Sequence, residues 1–342
     1  MSRTGALLGL AAALTMLSGA GPASAQTKVK LKLVHGYPET HFLWQQGGKV
    51  FVDAVTEATR GQVEFEVYPA NQLGKEQFSA LSTNLAEVGL ITPANAGGKL
   101  SLTSVTELPG LYQSSCEATG KFWALAKEGG LLNESEYKPN RLHVIYVATV
   151  PPYSLMTISK ETATLDALKG LKIRVAGSAM NKTVTALGGT PVQVAGAEMY
   201  DALSRGTVDG TIYSRMALNA YKLEPLLKYS VDGIRLGSGS VVMAVSERAW
   251  KALPDDLKKA VAAAGLKAQR HLCEYQDAQE AKASRDLVEK NGWKMVTLPP
   301  EQVKLWGARV AEANKAWAVE LDGSGRKGTQ LLDAFTKANP EF

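Results

Sequence analysis

The chain has 342 residues, 45% of them hydrophobic and 21% charged, with a formal net charge of +5 at pH 7. That length suits two ordinary domains with sizeable cores, and the composition excludes a disordered chain. Its 38 basic and 33 acidic residues are interspersed rather than clustered, which excludes nucleic acid and membrane surfaces as expected partners.

Residues 1–25 come first in chain order. Arg3, an apolar core from Ala6 to Leu17 and the small-residue site Ala23-Ser24-Ala25 read as a signal peptide whose removal leaves Gln26 at the N-terminus. No cysteine follows that site to accept a lipid, and no later apolar run is long enough to span a bilayer, so a free periplasmic product is expected. In that oxidising compartment Cys116 and Cys273 are either bridged or two buried thiols, and the sequence leaves both open.

Val29, Leu31 and Leu33 alternate with lysines as a strand, followed by His35-Gly36-Tyr37-Pro38 and a helix from about His41 to Thr59. A second strand over Val63, Phe65 and Val67 runs into the loop Tyr68–Gly74, which contains Gln72. Val88 to Thr92 is a third, ending at Pro93-Ala94-Asn95. Arg141 to Val150 alternates as the strand that leaves the first lobe, and Pro151-Pro152, just before Tyr153, marks a hinge.

The stretch from Leu168 to Ser214 carries the densest signal. Lys172 to Val175 is a strand, Ala179 to Leu187 a helix stopped by Gly188-Gly189, Thr190 to Val194 a strand, Ala197 to Ser204 a helix, and Thr207 to Ile212 a strand that leads to Tyr213 and Ser214. This βαβα order belongs to a mostly parallel sheet, whose ligands sit at the carboxyl ends of the strands. Arg174, Tyr213 and Ser214 fall there. An arginine fork matches a carboxylate with two parallel hydrogen bonds, so Arg174 either clamps a ligand acid or pairs with a protein acid such as Asp209. Tyr37, Tyr68, Tyr153 and Tyr213 could each be core filler or, around one arginine, the wall of a small-acid site.

Val241 to Val245 reads as a return strand, and Asp255 to Asn291 as one long helix spanning both lobes, stopped by Gly292. Lobe one is therefore expected over 26–150 with the return segment 240–279, and lobe two over 151–239 with the C-terminal segment 280–342. Gly323–Gly328 has the glycine spacing of a dinucleotide loop but follows a helix, so an interhelical turn is expected. The four histidines lack metal-ligand spacing and the mature chain has no Gly-x-Ser-x-Gly elbow; neither a metal, a cofactor nor a catalytic residue is expected.

The motifs LKGLKIRV, GGTPV and VDG, in this order and spacing, resemble the central signature of the solute-binding proteins of tripartite ATP-independent periplasmic (TRAP) transporters, the DctP family. The likeness extends more weakly over nearly the whole mature chain. It implies a type II-like periplasmic binding protein of two α/β lobes, a monomer that captures a small organic acid between them and delivers it to TRAP membrane permease subunits. It also implies that Arg174 clamps the ligand carboxylate; closure of the lobes would then place His35, Tyr37, Gln72 and Asn95 of lobe one over an acid held by Arg174, Tyr213 and Ser214, with Tyr153 at the hinge. Many members carry a second arginine past the hinge, where this chain has Pro152-Tyr153-Ser154, and an asparagine where it has Ser214. These departures favour a monocarboxylate with an uncharged, aromatic or hydroxylated body, and leave a sulfonate open. The competing readings are an exported lyase or hydrolase acting on small acids in the same cleft, and a ligand-reading partner of a sensor kinase.

Overall fold

The computed structural model describes residues 28–96 and 98–342; the signal peptide expected over residues 1–25 and the expected N-terminus Gln26 lie outside them. The strands are β1 (Val29–His35), β2 (Val63–Tyr68), β3 (Val88–Ile91), β4 (Leu142–Thr149), β5 (Ser154–Thr157), β6 (Lys172–Val175), β7 (Thr190–Gln193), β8 (Gly210–Tyr213), β9 (Tyr229–Asp232), β10 (Ser240–Ser246) and β11 (Lys294–Thr297). The α-helices are α1 (Lys49–Ala58), α2 (Gln77–Ser82), α3 (Ser115–Ala126), α4 (Leu165–Leu168), α5 (Gly177–Ala186), α6 (Met199–Ser204), α7 (Glu247–Ala252), α8 (Asp255–Glu289), α9 (Pro300–Gly323) and α10 (Gly328–Lys337).

The strands form two sheets, ordered β2-β1-β3-β10-β4 and β11-β9-β5-β8-β6-β7. In the first, β1 pairs in parallel with β2 and β3, while β10 runs antiparallel between β3 and β4. In the second, β6 pairs in parallel with β7 and β8, and β5 closes on β8 in the opposite direction. The chain crosses from one sheet to the other between β4 and β5, at the prolines, and returns between β9 and β10. Each sheet anchors one lobe. The parallel strands put Arg174 and Tyr213 at adjoining strand ends, and register sets Arg174 opposite Thr211 and Tyr213 opposite Ser154.

α8 has 35 residues, about 50 Å of helix, and ties the lobes together. Leu257, Val261, Ala264, Ala268 and Leu272 recur on one face and are buried against lobe one. Gly265 lets the helix lie directly on β4: a Cβ there would stand 2.7 Å from the carbonyl oxygen of Ile145. Next to Leu272, Cys273 is bridged to Cys116 of α3, which settles the pairing that the sequence left open. Asp277 caps the same helix, accepting from Ser115 N at 2.7 Å and Cys116 N at 3.1 Å. Farther along, Glu280 accepts from the backbone N of Arg215 at 3.1 Å and of Met216 at 2.9 Å, in lobe two.

β11 and the first half of α9 lie on lobe two. The end of α9 and α10, expected there as well, pack on lobe one instead, because Trp317, Leu321, Leu331 and Phe335 form an apolar face buried among Val105, Tyr112 and Phe122. Gly323–Gly328 is the turn between these helices.

Candidate functional site

A cavity of about 570 Å³ lies between the lobes. Arg174, Tyr213, Ser214, Tyr153, Tyr37 and Asn95 all line it. Arg174 is 3% exposed; its Nε donates to the carbonyl oxygen of Val194 at 2.9 Å, while Nη1 is buried and has no partner. Asp209 is not that partner, since its carboxylate accepts instead from Lys172 N at 2.8 Å. The hydroxyl of Ser214, fully buried beside the cavity, also lacks a partner. Its backbone neighbours Arg215 and Met216 are fixed by Glu280, so the unpaired hydroxyl is held in place. Two unpaired polar groups in a dry cleft are costly, and a ligand anion would satisfy both.

Aromatic rings link the two lobes around this centre. The Tyr153 and Tyr213 centroids are 5.4 Å apart, Tyr213 and Tyr221 6.1 Å, and Tyr221 meets His41 of lobe one edge-on at 5.9 Å. His41 stacks on Tyr37 at 4.6 Å, and the Tyr37 and Thr92 hydroxyls share a hydrogen bond of 2.7 Å. Cζ of Arg174 stands 5.8 Å from the Tyr213 ring centroid. Burial raises the phenol pKa of Tyr37, Tyr153 and Tyr213, so these hydroxyls stay neutral donors at physiological pH. The lobes also touch beyond the rings: α5 packs on the 3-10 turns Pro93–Asn95 and Thr103–Glu107.

Two expected residues do not line the cavity. His35 ends β1 fully buried, its ring stacked on Trp44 at 4.3 Å and its Nδ1 accepting from Tyr37 N. Gln72 is exposed, because the positive φ of Ala70 and Asn71 turns the loop so that Asn71 faces the cavity. The cavity gains His41, Phe42, Glu107, Met180 and Tyr221, which the sequence reading did not single out. No strand end or motif marks Tyr221 or Glu107 in the sequence.

Burial lifts the Glu107 and Glu136 carboxyls to about 7 and pushes the His35 and His41 imidazoles down to about 4. A raised carboxyl stabilises the fold below its unfolded value of 4.5 and loses that contribution as pH climbs through about 7. A depressed imidazole stabilises above 6.5 and loses it as pH falls through about 4. The two pairs therefore oppose each other between these limits. Removing one carboxyl tips the balance: relative to wild type, Glu107→Gln should gain stability with pH by about 1.4 kcal/mol per unit between pH 5 and 6.5. Urea unfolding of both proteins across that range measures it, and parallel curves would place Glu107 at an ordinary carboxyl pKa.

The family model for bacterial extracellular solute-binding protein, family 7 (DctP), matches residues 33–320. A protein of Albidiferax ferrireducens named solute-binding protein is 24% identical over 261 residues, covering 75% of each chain. A TRAP solute-binding protein of Rhodoferax ferrireducens, solved with copurified benzoate, superposes with TM-score 0.79 at 24% identity over 90% of this chain and 97% of that one. A marine metagenome TRAP protein described as specific for aromatic acid ligands, in complex with metahydroxyphenylacetate, gives TM-score 0.82 at 20% identity over 90% and 98%.

Proposed function

Since this chain belongs to the DctP family of bacterial extracellular solute-binding proteins, we propose that it captures a small organic monocarboxylate with an aromatic or otherwise uncharged body and hands it to a TRAP membrane permease. Arg174 carries this reading. It is the only lysine or arginine among the residues that line the cavity, it is buried, and one edge of its fork is unpaired. One fork matches one carboxylate. The rings of Tyr153, Tyr213, Tyr221, Tyr37 and Phe42 leave the remainder of the space suited to a flat apolar body. The benzoate and metahydroxyphenylacetate of the structural relatives are acids of this type.

The protein works in the periplasm, exported by residues 1–25, as a monomer of two lobes that close on the acid. Arg174, Tyr213 and Ser214 hold it from lobe two, and Tyr37 and Asn95 from lobe one. Contacts from both lobes exist only in the closed form, so ligand shifts an open–closed equilibrium. Small-angle scattering should show a smaller radius of gyration at saturation and the mass of a monomer; an unchanged radius would contradict closure. Transport without chemistry also requires that the acid be returned intact. Prolonged incubation followed by mass spectrometry should recover it unaltered, whereas turnover lost on mutating the cleft would identify an enzyme.

A further inference from the structure

Arg174 marks one end of the cavity, and an acid of the protein itself marks another. Glu107 ends the 3-10 turn Thr103–Glu107 of lobe one, is 4% exposed and lines the cavity. No lysine or arginine pairs with it among the described residues; its Oε1 accepts from Ser240 Oγ at 2.9 Å. Its backbone is fixed as firmly as its side chain. The carbonyl oxygen accepts from Ser238 N at 3.2 Å, and Gly237, at φ +102°, allows an approach in which a Cβ would stand 2.5 Å from that oxygen. Tyr153 lines the same cavity: burial raises its phenol pKa, the charge of Arg174 lowers it and that of Glu107 raises it.

An unpaired buried carboxyl in an acid-binding cavity demands an explanation, because it repels the anion the cavity would hold. We propose that Glu107 determines which acid is accepted: it receives a hydroxyl, or another uncharged hydrogen-bond donor, from the body of a monocarboxylate clamped at Arg174, and it rejects a second carboxylate. The inference rests on the monocarboxylate reading above. A hydroxyl donated to a buried carboxyl adds a hydrogen bond beside the one from Ser240. At pH 8, above the value of about 7 to which burial lifts Glu107, a second carboxylate there would face a like charge with no cation between them. Ser240 and the phenols of Tyr37, Tyr112, Tyr137 and Tyr153 are polar groups around it, and none is a cation.

The test, run at pH 8 so that Glu107 is charged, titrates benzoate, its three monohydroxy isomers and the three benzenedicarboxylates into wild type, Glu107→Gln and Ser240→Ala. In wild type at least one hydroxy isomer should bind roughly tenfold or more tighter than benzoate, and the matching dicarboxylate far more weakly than either. Glu107→Gln, which removes the repelling charge, should bind benzoate at least as tightly as wild type, shrink the hydroxyl preference severalfold and admit the dicarboxylate better. Ser240→Ala, which keeps the carboxyl but frees its orientation, should blunt the preference without removing it. If no hydroxy isomer is preferred in wild type, if a dicarboxylate binds as tightly as the hydroxy acid, or if the preference survives in Glu107→Gln, the assignment is overturned. Should Glu107→Gln fail to fold, the wild-type panel and Ser240→Ala still decide. Wild type that binds none of the monocarboxylates would overturn the reading at Arg174 as well, a result distinct from benzoate binding without hydroxyl preference.

Discussion

Arg174→Ala should weaken binding of the carboxylate by roughly 30-fold to several-thousand-fold, a loss of about 2–5 kcal/mol, while the protein stays folded. The magnitude follows from what remains. Removing the guanidinium leaves an anion in a cavity that no other lysine or arginine lines among the described residues, facing only neutral hydroxyls and amides and the Glu107 carboxyl. Arg174→Lys should recover only part of the loss, because an ammonium restores the charge but not the planar fork. Stability should change little: the guanidinium makes one hydrogen bond, to Val194, and no ion pair with Asp209. Calorimetric titration of benzoate into a variant with wild-type circular dichroism measures this. Near-wild-type affinity would remove Arg174 from the site.

The bridge between Cys116 and Cys273 carries the other large expected effect. It closes a loop with a sequence separation of 157 residues, and loop-closure entropy predicts about 3–5 kcal/mol of stabilisation. The double variant Cys116→Ala/Cys273→Ala should therefore melt about 5–8 °C below wild type. Asp277 still caps α3 in that variant and Glu280 still holds residues 215–216, so ligand affinity should change far less than stability. Intact-mass measurement after alkylation without reductant checks the pairing directly. Two alkylated thiols in periplasmically expressed protein, or an unchanged melting temperature for the variant, would contradict it.

How far the sequence reaches depends on which force places each element. β1, β2 and β4 alternate or run apolar within uninterrupted stretches, and α8 repeats its buried face over many turns, so local periodicity reveals them. β5 and β9 are four residues each and get their places from strands distant in sequence, β8 and β11, so no local pattern announces them. The site divides in the same way. Arg174, Tyr213 and Ser214 are legible because strand ends in a parallel sheet collect ligands. His35 sits at a strand end too, but Trp44 from the following helical turn covers its ring and takes it into the core. Glu107 and Tyr221 belong to short 3-10 segments within the connections β3 to β4 and β8 to β9, and their spacing from any motif is uninformative.

The central claim is that the protein carries a monocarboxylate held by Arg174. It is tested most directly by mass spectrometry of the small molecules released from protein purified from the periplasm, wild type beside a folded Arg174→Ala variant. The expected result is one dominant acid with a single carboxyl group, present near stoichiometry in wild type and absent from the variant. A released molecule without an acidic group, or the same acid retained equally by the variant, would contradict the account.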